Sequence, residues 1–334
     1  MKRLALIFAL ALAGRTVPAD VFFSEDGGKT WTPAGLKGVF VTEIFPDPSD
    51  AKIAVAMIDD LQKMQRTEDG GKTWKEISTG IGIGPVAIDP ANPKSLWVGG
   101  ESGAFAHSTD AGVTWTKGSI GAAAGSEGGK VNNVGAMLVV GKRVYAGGGQ
   151  GTGFAAFSDD DGATWTAIER KGGWSFVCAM AATKGAILIG GNLAVVASTD
   201  GGKTWKTSPG IEERMGTDGH FSVNPDGLRV TFSYSGEFLA SSDGGLTFAP
   251  AAAPTRSFPS SAAWADGKMI VVAQSGKCQG KGMSRYFQPD DDVRNALYES
   301  EDAKTWKRLA ASPPREPWMI VGACDGKGLW LGTR

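Results

Sequence analysis

The acidic residues of this chain recur at a regular interval. Asp26, Asp69, Asp110, Asp160, Asp200, Asp243 and Asp302 are separated by 43, 41, 50, 40, 43 and 59 residues. Carboxylates can serve as general acids, nucleophiles or cation ligands, so the chemistry open to them is weighed first. Two runs, Asp159-Asp160-Asp161 and Asp290-Asp291-Asp292, are oxygen-rich enough to suggest Ca²⁺. Neighbouring acids on an extended chain point to opposite sides, however, so neither run converges on one ion. The spacing of His107 and His220 does not suit a metal pair. His107 reads as packing within a strand, and His220 as a satisfied core histidine at the start of an inner strand. No metal and no cofactor is expected.

Hydrolysis of an acidic sugar would need guanidinium forks for the carboxylate, a nucleophile and an acid/base pair. The candidates are Arg214, Arg256 and Arg315, Tyr286 and Tyr298, and Glu212 and Glu213 beside Arg214. They are scattered and share no local motif. The Gly-dense stretch from Gly147 to Gly153 joins two strands, whereas a phosphate loop needs a following helix N-terminus.

The surroundings of the seven Asp residues explain them without catalysis. Each lies in a pattern Ser/Thr-x-Asp-x-Gly-x-Thr-Trp, as in Ser24 to Trp31 and Thr67 to Trp74. The sixth copy ends in Phe248, and the seventh, Ser300 to Trp306, is one residue short. In a tight turn the Asp and the hydroxyl can accept backbone N–H bonds. The Gly permits a positive φ, and the β-branched Thr starts the next strand. Trp31, Trp74, Trp115, Trp165, Trp205 and Trp306 then offer large rings to bury between neighbouring units. A period of 40 to 50 residues suits four-stranded propeller blades.

These residues resemble the BNR, or Asp-box, repeat of sialidases and other β-propellers. The resemblance implies an all-β, seven-bladed propeller of four-stranded antiparallel blades, with the box between the third and fourth strands, on the face away from any active site. It makes the seven Asp and six Trp residues structural and assigns no catalytic residue. The mature chain opens at Asp20 without the Phe/Tyr-Arg-Ile-Pro motif usual ahead of the first sialidase box. An exo-sialidase type of glycoside hydrolase is therefore the alternative. The chain is more similar to exported bacterial propellers related to photosystem II stability and assembly factors, which implies a non-enzymatic scaffold.

Composition agrees with many short strands. Of 334 residues, 49 are Gly, and the net charge of -1 excludes a basic nucleic-acid binder. Lys2 and Arg3 precede a ten-residue apolar run, Leu4 to Ala13, too short to span a bilayer. Residues 1–19 read as a signal peptide cut after Ala13 or Ala19, leaving residues 20–334 as one secreted or periplasmic propeller without a membrane span. Cys178 and Cys324 lie in apolar runs and are expected to be buried thiols, whereas Cys278 lies in a polar loop. The apolar segments Trp318 to Ala323 and Gly328 to Gly332 are expected to complete the blade begun by residues 20–34.

A monomer is expected, binding a protein or glycan where inter-blade and second-to-third-strand loops converge. Glu213, Arg214, His220, Arg256, Tyr286 and Trp318 are the candidate binding face, with Asp59, Asp60, Glu101, Asn132, Gln150 and Trp174 around them. Residues 275–294 form an insertion in the sixth full blade, read as a long loop.

Overall fold

The structure, a computed structural model, describes residues 20–58, 63–82, 84–121, 133–149, 153–169, 175–192, 194–211, 219–234, 237–252, 254, 257–279, 286–289, 295–310, 317–322 and 326–333. Residues 1–19, read above as a leader, lie outside them.

Every box motif becomes the corner of a β-hairpin. Strands β1 (Val21–Ser24) and β2 (Thr32–Pro33) flank the first corner. The first full blade is β3 (Val41–Pro46), β4 (Ala54–Ile58), β5 (Lys63–Thr67) and β6 (Lys75–Ile77). The second is β7 (Val86–Asp89), β8 (Asn92–Gly99), β9 (Ala104–Ser108) and β10 (Thr116–Ser119). The third is β11 (Val134–Val140), β12 (Arg143–Gly149), β13 (Gly153–Ser158) and β14 (Thr166–Ala167). The fourth is β15 (Val177–Ala182), β16 (Ile187–Gly191), β17 (Val195–Ser198) and β18 (Lys206–Thr207). The fifth is β19 (His220–Val223), β20 (Val230–Tyr234), β21 (Glu237–Ser241) and β22 (Ala249–Ala251). The sixth holds β23 (Ser257–Ala265), β24 (Lys268–Gln279), β25 (Tyr286–Pro289), β26 (Asn295–Ser300) and β27 (Lys307–Arg308).

The seventh blade joins the two ends of the chain. Strands β28 (Pro317–Gly322) and β29 (Leu329–Thr333) are its inner pair, and the sheet runs β28-β29-β1-β2. Val21 faces Gly332 and Ser24 faces Leu329 across an antiparallel ladder. The Thr333 N–H donates to the Asp20 carbonyl at 3.0 Å. The closure expected from the two C-terminal apolar segments is therefore present, and it hides two sheet edges that would otherwise invite aggregation.

The core is divided among the seams between blades. Each seam has its own apolar cluster, such as Val55, Met57, Met64, Val86 and Leu96 between the first and second blades. The seam between the sixth and seventh blades holds Phe22, Val272, Leu297 and Leu331. The Gly-dense stretch belongs to one such seam. A Cβ at Gly147 would sit 2.7 Å from Val177 of the fourth blade, and one at Gly148 would collide with the Asn133 carbonyl. Those glycines permit close strand approach.

Candidate functional site

The corners come first because they hold most of the repeated chemistry. In all seven, the Asp accepts the Thr backbone N–H at 2.8–3.0 Å. Its other oxygen accepts the Thr hydroxyl at 2.6–2.7 Å. The Ser or Thr that opens the motif donates its hydroxyl to the same carboxylate at 2.7–3.0 Å. In six corners that hydroxyl also accepts the Gly N–H at 2.8–2.9 Å. The Gly is required there: φ is +82° at Gly28 and +83° at Gly71.

Donors aimed at a carboxylate favour its charged form. The Thr73 backbone and hydroxyl hold Asp69 down at about 2. The Thr114 hydroxyl and backbone hold Asp110 at about 2. Asp160, Asp200 and Asp302 are lowered by the same kind of donors. At Asp26 and Asp243 burial pushes upward, but the combined hydrogen bonds outweigh it. A carboxylate so held is a poor proton donor at neutral pH, and its lone pairs already serve the turn.

The aromatic residue after each corner docks on the preceding blade. Trp205 meets Tyr145 edge-on with ring centroids 6.3 Å apart, and Trp165 meets Phe105 at 5.5 Å. Trp74 sets its ring against Trp330 and donates its indole N–H to the Ala34 carbonyl at 2.8 Å. Phe248 takes the same place against Leu188 in the fifth blade's seam. Trp31, Trp115 and Trp306 pack against the sixth, first and fifth blades. Turns between first and second strands tie into the corners as well, as when the Gly70 N–H donates to the Lys52 carbonyl at 3.0 Å. A shallow depression of about 400 Å³ on this side, lined by Phe23, Glu25, Pro48 and Asp50, is spanned by the exposed Lys52–Glu25 pair.

The opposite side, the mouth, is built differently. Five innermost strands carry a one-residue bulge near their start, at Thr42, Gly135, Cys178, Ser260 and Trp318. A bulge adds twist and re-aims a residue. Thr42 donates its hydroxyl to the Met57 carbonyl at 3.2 Å, and the Cys178 thiol lies 3.6 Å from the Gly190 carbonyl. Cys178 is half-buried rather than buried as expected: as the bulged residue of β15 it packs against the edge of the seam cluster between the fourth and fifth blades. Asn192 accepts the Ser175 N–H at 2.9 Å and tethers the approach to β15.

The expected binding residues fare unevenly. His220 is the first residue of β19 and is exposed, so the reading as a satisfied core histidine is corrected. His107 does pack: its ring stacks on Trp97 at 3.9 Å, and burial lowers its pKa. Tyr286 starts β25, and Trp318 is the bulged residue of β28. Glu101 is exposed in a short 3-10 turn. Glu213, Arg214 and Arg256 lie outside the described residues, as do Asp59, Asp60, Asn132, Gln150, Trp174, Glu212, Arg315, Cys324 and Asp290 to Asp292.

The insertion at 275–294 is partly a ribbon rather than a loop. β24 runs on past its blade, and Gly276 to Gln279 pair with Pro289 to Tyr286. Cys278 is therefore a strand residue. Two further features escaped the sequence reading. Asp47-Pro48 and Asp89-Pro90 are a second recurring turn, with Asp47 accepting the Ser49 and Asp50 N–H groups at 2.6 and 2.9 Å. Glu43 is a half-buried acid inside an inner strand, signalled only by its isolation in Val41–Pro46.

Comparison with known proteins follows from this geometry. The BNR/Asp-box repeat family matches residues 22–33 and 196–207, the first and fifth corners with their flanking strands. The chain carries BNR/Asp-box repeats on a seven-bladed propeller. A search of curated proteins found no match. Among solved structures, YCF48 bound to D1 peptide superposes with a TM-score of 0.59 at 14% identity, covering 95% of this chain and 97% of that one. YCF48 from Cyanidioschyzon merolae gives 0.57 at 12% identity, covering 88% and 95%. The Cps50 propeller domain of Myceliophteria thermophila gives 0.59 at 6% identity, covering 88% and 96%. At these identities the likeness is one of fold.

Proposed function

We propose that this BNR/Asp-box propeller is an exported, monomeric, non-enzymatic scaffold that binds a protein segment on its mouth face. The carrying observation is the division of labour between the faces. Corner carboxylates and hydroxyls are bonded within their own turns, whereas the mouth bears the inner-strand bulges and the β24–β25 ribbon. Loops and arms on a rigid frame are where recognition is usually built. The D1 peptide bound to YCF48, a propeller of similar fold, supports a polypeptide as the ligand class. Secretion or periplasmic residence follows from reading residues 1–19 as a cleaved leader. A glycan ligand is the other class to test.

The experiment is a pull-down from the cell envelope with the wild-type chain and with Arg214→Ala, Arg256→Ala and Tyr286→Ala combined. The proposal expects a protein captured by the wild type and lost from the triple variant, with unchanged melting. Equal capture by both would contradict the mouth as the binding face.

A further inference from the structure

Among the described residues, only the β24–β25 ribbon carries sheet beyond the blades. β24 is paired with β23 as far as Ser275 and with β26 as far as Gln274. Past that point Gly276 to Gln279 pair with β25 alone, and β25 pairs with no other described strand. A two-stranded ribbon is marginal in water, and a third strand added to its edge supplies further main-chain bonds.

The other outer edges are guarded. The outermost strands of the blades are two to four residues long, and all but Thr166–Ala167 contain Lys or Pro, as at Pro33, Lys75 and Lys206. Short strands, lysines and prolines discourage edge pairing. β25 differs. Tyr286, Phe287 and Gln288 are uncharged, each has a backbone N–H, and the aromatic pair favours extended chain. Proline comes only at the last position, Pro289.

Charge selects the guest and its direction. From Lys277 to Pro289 the sequence holds Lys277, Lys281 and Arg285 and no acid, in a chain of net charge -1. Lys281 and Arg285 belong to the connection between the two strands, whereas Asp290 to Asp292 follow directly after β25. β25 runs from that connection back toward its blade. An antiparallel guest therefore runs outward and ends beside the basic connection, and antiparallel pairing is the more stable kind. Acidic residues suit the guest's carboxyl end and are repelled at its amino end.

We infer that β25 is a docking edge, where an extended polypeptide segment with acidic residues at its carboxyl end adds as a third, antiparallel strand. The inference rests on the protein-scaffold reading and names the mode of binding and the class of segment. Main-chain bonds along residues 286–288 hold the guest, and its acidic end fixes the direction.

The test is titration of the full chain with the peptide Gly-Thr-Val-Thr-Val-Glu-Glu-amide, labelled with fluorescein at its amino end and read by anisotropy. A second peptide ends in Lys-Lys, and two others are the first N-methylated at both valines or at both threonines. The Glu-ended peptide is expected to bind about tenfold more tightly than the Lys-ended one. One N-methylated peptide should lose binding and the other keep it, because a strand on one edge turns only alternate residues toward its partner. Lys281→Glu combined with Arg285→Glu should reverse the preference between Glu and Lys ends, with Tm unchanged. No binding by either end, like behaviour of both N-methylated peptides, or equal preference in the charge variant would overturn the edge. A dimer in solution that the charge variant dissociates would assign the edge to a second copy, and so overturn it too. A protein captured from the envelope while the peptides fail would sink this inference and leave the scaffold reading standing. Bound peptides with no captured protein would do the reverse.

Discussion

Phe23 and Trp330, from opposite ends of the chain, are direct partners across the β1–β29 ladder, with ring centroids 4.5 Å apart. Trp330 is fully buried and donates its indole N–H to the Ala51 carbonyl of the first blade at 3.1 Å. One side chain thus joins the chain ends within a sheet and locks that sheet to its neighbour. Trp330→Ala should cost about 3–5 kcal/mol and lower Tm by roughly 10 °C. Deleting residues 317–334 should abolish cooperative melting altogether. A truncated chain that melts like the full one would contradict closure by these strands.

The hydroxyl that opens each corner is the more buried half of the motif. Ser198 is 1% exposed, donates to Asp200 at 2.8 Å and accepts the Gly202 N–H at 2.8 Å. Ser198→Ala strands that buried N–H and should cost about 1–3 kcal/mol. Ser198→Thr should be close to wild type, because Thr67 fills the same role in the first full blade at 2.9 Å from both partners. Thermal melts of the two variants read the difference directly.

Acid should loosen all seven corners together. Every corner Asp is held below its ordinary value in the fold, Asp69 and Asp110 at about 2. The unfolded chain, with carboxyls near 3.9, therefore takes up protons first as the pH falls. The stability these groups supply is complete above about pH 4 and drains away toward pH 2. His107, lowered by burial, adds a small loss that starts near its ordinary value of about 6.5. Glu43 acts in the opposite sense, since protonation relieves its burial. Tm against pH should thus decline gently through pH 6 and steeply between 4 and 2. A flat profile to pH 2 would contradict the corner chemistry.

The glycines from 147 to 149 should answer to size. Gly148→Ala places a Cβ against the Asn133 carbonyl, backbone that cannot swing away. Overpacking of this kind costs about 1–3 kcal/mol. Gly141→Ala, with open space around its Cβ but a φ of +61°, serves as the comparison for conformational strain alone. A Gly148→Ala chain as stable as wild type would show that close packing is not what those glycines provide.

The frame was legible in the sequence because each corner is a local device. Ser24, Asp26, Gly28 and Thr30 satisfy one another within a single turn, so no distant partner was needed to recognise it. Closure was legible because a third and fourth strand without inner neighbours demand two more apolar segments, and Leu329–Thr333 supplies one. The mouth was not legible in the same way. Bulges such as those at Thr42 and Cys178 depend on inter-strand register, which the residues themselves do not announce. The Gly276 to Gln279 strand was hidden because its Gly/Lys-rich composition reads as loop, and only its pairing with Tyr286–Pro289 makes it a ribbon.

Hydrogen exchange of the chain with and without its captured partner tests the central claim most directly. The account predicts new protection in β25, in the 276–279 part of β24 and at the bulged starts of the inner strands, with the corners from Ser24 to Trp31 and their six counterparts unchanged. Protection confined to those corners, with the mouth unaltered, would contradict it.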